Sequence, residues 1–411
     1  MSRVRLVAWI MWMTASIFYA YQYVLRVMPN IMLTDIMESF QMDAAVFGQF
    51  ASFYYMGYAF LHLPIGLMLD RFGPRKVMTG CILLTVVGMS PLLWAEHAAF
   101  PIVGRLFIGI GSSAAILGTF KIIRMVFQEK QFTRMLSLSV TIGLMGAIYG
   151  GGPVKSLCDS MGYQNVIEIL CVMGIGLALI TYLVVPEQPK SVQPPVMKQI
   201  KTVMTNRKVW VVCLCAGIML GPLEGFADVW GAEFLKKIYN LDATTASYLT
   251  SLVYVGMCFG APVLSFIAEK SGRYMAAICG SGVVMFAAFS WLMSGHMEMS
   301  TMAISFTMVG VCCAYQIIAI YKASTYVPES VAGLTTAVAN MIIMLFGSAF
   351  HSVIGMVVNA FGGVASQEAF LYGMGVIPAT LAVGAVGFAV MTYEEAKKMK
   401  SQKETLDVVY V

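Results

Sequence analysis

Twelve apolar runs of about twenty residues each, separated by short polar turns, constrain this chain more than any other feature of its sequence. A run of that length is what a helix needs to cross a hydrocarbon layer about 30 Å thick. Only structures that satisfy their own backbone hydrogen bonds can span such a layer. The runs fall at 7–28, 44–68, 77–95, 101–122, 135–156, 165–185, 209–230, 244–267, 275–294, 301–321, 332–357 and 370–392. Charged residues make up only 11% of the 411 positions against 59% hydrophobic, too few to cover a water-soluble surface. The expectation is an all-α membrane protein of twelve transmembrane helices, with no length left over for a soluble catalytic domain.

The net charge of +5 is not a nucleic-acid signal, because its distribution follows the loops. With a cytoplasmic N-terminus, all but five of the 26 Lys and Arg lie on the cytoplasmic side. The exceptions are Lys155, Lys236 and Lys237 on the other side, and Arg26 and Arg105 within helices. By the positive-inside rule both termini are cytoplasmic. Arg3 and Arg5 precede the first run as in a signal peptide, but no small-residue cleavage site follows, so the helix is read as retained. Eight of the nine cysteines lie within the apolar runs and Cys158 sits near the outer face, which implies neither a disulfide framework nor a zinc site. The short loops point to a multi-pass protein of a bacterial cytoplasmic (inner) membrane; a monomer is the expected working form.

The longest interruption, 186–208, contains Pro189, Pro194 and Pro195 and divides the chain into related halves. Tyr55, Gly57, Phe60, Asp70 and Gly73 fall on Tyr254, Gly256, Phe259, Glu269 and Gly272 at one offset of 199. Gly109, Lys121 and Gly146 fall on Gly310, Lys322 and Gly347 at 201, and Arg26 on Asp228 at 202. The reading is a six-helix half (1–185), a cytoplasmic linker (186–208), a second six-helix half (209–393) and a cytoplasmic tail (394–411). Parallel duplication of this kind is a transporter architecture, with the solute site near the midplane between the halves.

Three motifs add specificity. After the second run comes Gly66-Leu67-Met68-Leu69-Asp70-Arg71-Phe72-Gly73-Pro74-Arg75-Lys76, in which Gly73 permits a tight turn and the basic residues hold the loop at one face. A weaker copy surrounds Glu269 and Gly272. The fourth run opens Gly104-Arg105-Leu106-Phe107-Ile108-Gly109-Ile110-Gly111, and the fifth carries Gly143, Gly146, Gly150, Gly151, Gly152 and Pro153. Together they resemble the signature loop, the arginine–glycine motif and the glycine-rich helix of the major facilitator superfamily. That resemblance implies the twelve-helix fold of the superfamily and a transport function. It also implies that the glycine-rich helix lies where the two halves meet. The pattern around Arg26, Glu224 and Trp230 is most similar to an uncharacterised bacterial branch that resembles lysosomal dipeptide transporters. Each motif also has a plainer meaning: an ordinary basic turn, an arginine snorkelling to the interface, and close helix packing through small residues.

Ionisable and aromatic side chains inside the apolar field mark the candidate cavity. Tyr19, Gln22, Tyr23 and Arg26 share one face of the first helix, and Glu224 and Asp228 stand one turn apart in the seventh, beside Pro222 and Trp230. A charge pair between Arg26 and one of these acids would make an outer gate; the alternative places all three at the membrane surface in contact with water. Glu224 and Asp228 are also the candidates for proton coupling. Arg105, Lys121 and Lys322 are further cations, and Tyr55, Tyr58, Tyr315 and Gln316 supply hydrogen-bonding groups, with His62, His351 and Asn340 as lesser candidates. Cations outnumber acids, which favours a small polar solute bearing a carboxylate: an amino acid, a dipeptide or an organic acid. The expected mechanism is alternating access, proton-coupled or as a uniporter, without cofactor, metal or nucleic acid. A multidrug exporter of the same fold and a non-transporting sensor are the alternatives. An enzyme is not expected, since no nucleophile elbow, paired metal ligands or phosphate-binding loop is present.

Overall fold

The computed structural model describes residues 3–128, 131–187, 197–328 and 331–409, and these are helical throughout apart from short turns. Part of the anticipated linker (188–196) and the last two residues of the anticipated tail lie outside the described residues. The helices are α1 (Arg3–Ser39), α2 (Ala44–Phe72), α3 (Pro74–Met89, continued by Pro91–Trp94), α4 (Ala99–Val126), α5 (Phe132–Gly150, continued by Gly152–Met161) and α6 (Tyr163–Val184). A short helix, Met197–Met204, precedes α7, which runs from Arg207 to Tyr239 in three pieces. Then come α8 (Ala243–Ser271), α9 (Tyr274–Leu292), α10 (Met299–Cys313, continued by Tyr315–Ser324), α11 (Ala332–Ala360) and α12 (Gln367–Val409). Among the described residues nine of these are long and apolar enough to cross a membrane. The other three are α1, α2 and α5. Two of them, α1 and α2, hold the Arg26 face and the Tyr54, Tyr55, Tyr58 and His62 face, so their lower apolarity follows from the polar groups they bring inside.

α12 runs on through the anticipated tail to Val409, and two further overruns, in α1 and α7, move the candidate site. α1 was expected to close at 28, ahead of Pro29, yet continues to Ser39 with Pro29 inside and a non-helical turn at Met32 (φ −114°, ψ 15°). α7 continues past 230 to Tyr239. Arg26, Glu224, Asp228 and Trp230 are therefore well inside their helices rather than at the ends.

The halves repeat their packing. α2 packs on α4 as α8 packs on α10; α1 packs on α5 as α7 packs on α11; α3 packs on α6 as α9 packs on α12. Glycines carried by the repeat explain the closest of these approaches. A Cβ on Gly109 would strike the Tyr54 carbonyl, and one on Gly57 the Leu106 carbonyl; in the second half Gly310 meets the Val253 carbonyl and Gly256 the Thr307 carbonyl in the same way. Gly146 and Gly347 do not follow this rule: the first meets Ala20 of α1, the second the ring of Tyr55 across the halves. Between the halves, α2 packs on α11 and α8 on α5. Outward-facing apolar side chains such as Leu183, Val172 and Ile304, each about 70% exposed, form a surface suited to lipid rather than water. The molecule is a multi-pass membrane protein.

Candidate functional site

The centre of the molecule is an ion-pair cluster between α1 and α7. Arg26 donates from Nε to Asp228 Oδ2 at 2.7 Å and from Nη2 to Glu224 Oε1 at 2.6 Å. Both acids are fully buried and Arg26 is nearly so, which excludes the reading in which the three meet water at the membrane surface. The guanidinium lies 5.2 Å from the ring centres of both Tyr23 and Tyr55, and the Tyr55 hydroxyl donates to Asp228 Oδ2. Tyr19 packs edge-on against Tyr23 at 5.3 Å. The added hydrogen bond from Tyr55 offsets part of the desolvation cost of a buried pair of this kind.

Local backbone geometry places the acids. Pro222–Trp230 forms a π-helical stretch inside α7. Pro222 cannot donate a helical hydrogen bond, and the wider turn brings Glu224 and Asp228 to one side. His351 of α11 reaches this stretch, its Nε2 2.7 Å from the Glu224 carbonyl, and Trp230 Nε1 donates to the His351 carbonyl at 3.3 Å. One oxygen of each acid and a ring nitrogen of His351 lie within 4.8 Å of one another, a trio with metal-ligand chemistry. Arg26 holds one oxygen of each acid, and the other oxygen of each, Glu224 Oε2 and Asp228 Oδ1, has no hydrogen-bond partner.

Arg105 is completely buried, 4.8 Å from the Tyr54 ring centre, and its guanidinium is held against α1. Nη1 donates to the Leu25 carbonyl at 2.5 Å and Nη2 to the Arg26 carbonyl at 2.9 Å. Pro29 is the cause: lacking an N–H, it leaves the carbonyl four residues earlier, that of Leu25, without its helical donor. The arginine of α4 replaces it, and so fixes the backbone that carries Arg26.

One residue was missed. Asn30 lies one turn beyond Arg26, and its side chain donates to the Ala227 carbonyl (3.2 Å) and Thr250 Oγ1 (3.1 Å) and accepts from the Ala232 N–H (3.0 Å). It thus ties α1 to α7 and α8 at the exit of the π-helical stretch. Its spacing from Arg26 was the available signal.

The remaining candidates scatter around this centre. Tyr58 stacks between Tyr54 and His62, forming a line down α2 away from the ion pairs. Tyr315 donates to the Ala216 carbonyl at 2.6 Å, and Gln316 is buried with its amide nitrogen unpartnered. Lys121 pairs with Asp70 at 2.8 Å on the face that carries the termini, where Gly66, Asp70, His62 and Lys121 help line a cavity of about 570 Å³ between α2, α4 and α11. The repeat would have matched this with Lys322 and Glu269; instead Lys322 pairs with Glu395 of α12 at 2.8 Å, outside the cluster. Gly73 (φ 80°) and Gly272 (φ 63°) turn the chain as expected, while Arg71 and Arg75 lie over Phe72 and Tyr182. In the glycine-rich helix, Gly143, Gly146 and Gly150 meet α1, whereas Gly151 and Gly152 meet Ser251 and Tyr248 of the other half. α5 breaks at Gly151, and Pro153 starts its next segment. On the opposite face a smaller cavity of about 150 Å³ lies just outside Asn30, lined by Asp35, Lys155, Glu233 and Lys236.

Such an arrangement, two helical repeats packed against each other over a buried ion cluster, is that of a multi-pass membrane protein. The family model of the Major Facilitator Superfamily matches residues 11–351, and the chain belongs to that superfamily. It is 24% identical over 223 residues to the nitrite extrusion protein of Bacillus subtilis (strain 168), covering 51% of this chain and 52% of that one. It is 23% identical over 251 residues to the probable nitrate transporter NarT of Staphylococcus epidermidis (59% and 62%). With the lysosomal dipeptide transporter MFSD1 of Mus musculus it shares 23% over 278 residues (60% and 58%). The chain thus spans between half and two thirds of these relatives. Among solved structures, a bacterial homologue of the human lysosomal transporter Spinster, inward-facing and unoccupied, superposes with a TM-score of 0.74 at 16% identity, covering 96% of this chain and 98% of that one. A mutant of the nucleoside transporter NupG gives 0.78 at 15%, covering 93% and 99%. At those identities the likeness is one of fold.

Proposed function

We propose that the protein is a secondary transporter that moves a small polar, carboxylate-bearing solute by alternating access. The observation that carries this is the buried link of Arg26 to Glu224 and Asp228, which spans the two halves. Ion pairs in a membrane interior are costly and are kept where they serve a path or a switch. The reading assigns the pair, with Asn30 outside it, to the closure on the face opposite the termini. The cavity beside Lys121 belongs to the open side. By the distribution of basic residues the termini are cytoplasmic, in a bacterial inner membrane. Residues 1–185 and 209–393 are the moving halves. Relatives named for nitrite, nitrate and dipeptide transport agree with a charged solute and leave its identity open. Glu224 and Asp228 are the groups through which protons would couple.

A second reading, export of lipophilic compounds, is favoured by the mostly apolar wall that Leu63, Leu67, Leu117, Phe120 and Leu334 give the larger cavity. Purified protein in proteoliposomes, offered labelled dipeptides, amino acids, organic acids, nitrate and lipophilic cations, separates the two. Saturable uptake of the polar solutes is expected. Flux of lipophilic cations alone would favour the second reading, and saturable binding without flux would make the protein a sensor.

A further inference from the structure

The charged groups at the centre balance, yet their pairing is incomplete on both sides. Arg26 and Arg105 stand against Glu224 and Asp228, all buried. Glu224 Oε2 and Asp228 Oδ1 accept no hydrogen bond, and Arg105 Nε donates none. His351 lies against the backbone carbonyls of Glu224 and of Ala51 on α2, and it serves the cluster by holding α7 in place. The surplus beside α7 is therefore of acceptors, both of them carboxylate oxygens.

We infer that the occupant of this cluster is a zwitterion, its primary ammonium group resting on the Glu224–Asp228 pair and its carboxylate on Arg26. This rests on the transporter reading above and narrows it, from any carboxylate-bearing solute to one with a free amino group. N–H donors and a positive charge are what the two unpartnered carboxylate oxygens lack. A carboxylate is the group that a guanidinium fork takes best. Charge counting excludes simpler ions. A bare anion would leave an excess negative charge next to two buried acids, and a bare cation an excess positive charge next to two guanidiniums, each unfavourable in a low-dielectric interior. A zwitterion leaves the balance unchanged. It also offers an exchange, since the bonds from Arg26 to the acids are replaced one for one by bonds to the solute. As the carboxylate draws the guanidinium away, the link between α1 and α7 is released.

The test is uptake into proteoliposomes of L-alanyl-L-alanine and L-alanine, each beside its N-acetylated form, with lactate and nitrate as bare anions. Acetylation removes the positive charge and keeps the carboxylate. Uptake efficiency of the acetylated forms and of the bare anions should fall at least about tenfold below that of the free amines. Glu224→Gln should bring that ratio towards one; if this variant does not fold, the wild-type ratio alone decides. Acetylated solutes, lactate or nitrate moving as well as the free amines would overturn the ammonium subsite and leave anion transport standing. No flux of any solute would overturn the transporter reading and this inference with it.

Discussion

Arg105 and Pro29 lie on different helices, and the arginine donates to the Leu25 carbonyl that the proline leaves without a partner, at 2.5 Å. The relationship predicts a coupling. Arg105→Ala leaves a buried carbonyl unsatisfied and should cost about 1–3 kcal/mol of stability in detergent. In a Pro29→Ala background the helix supplies its own donor, so the same substitution should cost less. Thermal unfolding of the four proteins measures the difference; equal costs in both backgrounds would separate Arg105 from Pro29. Arg105→Lys should rescue only in part, because an ammonium cannot bridge two successive carbonyls as a planar fork does.

Removing Arg26 has a larger expected effect. Arg26→Ala leaves two buried carboxylates without a cation, and breaking such a pair costs about 3–5 kcal/mol. Glu224→Gln together with Asp228→Asn in the same chain should restore much of that stability while leaving transport lost. Chemical unfolding followed by tryptophan fluorescence checks the first point and solute uptake the second.

Lys121 and Asp70 are both partly exposed, with side chains 28% and 39% accessible, so their pair should contribute no more than about 1 kcal/mol to stability. Lys121→Ala is expected to change solute uptake without a matching fall in melting temperature. A large fall in melting temperature with normal uptake would make the pair purely structural.

Gly109→Ala and Gly310→Ala place a methyl group on the Tyr54 and Val253 carbonyls of the neighbouring helix, and each should destabilise the fold by about 1–3 kcal/mol. Gly80 has nothing near its absent side chain, so Gly80→Ala serves as the tolerated control.

Much of this was readable in advance, for definable reasons. The all-helical, membrane-spanning character follows from hydrocarbon thickness, and the halves from a repeat that kept Gly57, Gly109, Gly256 and Gly310 where backbones touch. The charge pair of Arg26 with the α7 acids was readable because few partners exist for an ion inside a membrane. Three features were not. The extent of α1 depended on a side chain from α4 compensating for Pro29, a non-local fact. The π-helical stretch at Pro222–Trp230 has no periodicity that distinguishes it from an ordinary proline-loosened helix. The divergence of Lys322 from Lys121 arises because Glu395, beyond the repeat, captures it. Asn30 was legible only by its spacing from Arg26.

One cross-link tests whether the face opposite the termini opens and closes during transport. Thr244 of α8 donates to Asp159 of α5, across the halves on that face, at 3.4 Å. Cysteines at these two positions, with Cys158 replaced by alanine, can be joined by a short methanethiosulfonate cross-linker and released by reduction. Joining them should stop solute flux in proteoliposomes, and reduction should restore it. Flux that continues undiminished in fully cross-linked protein would contradict this expectation.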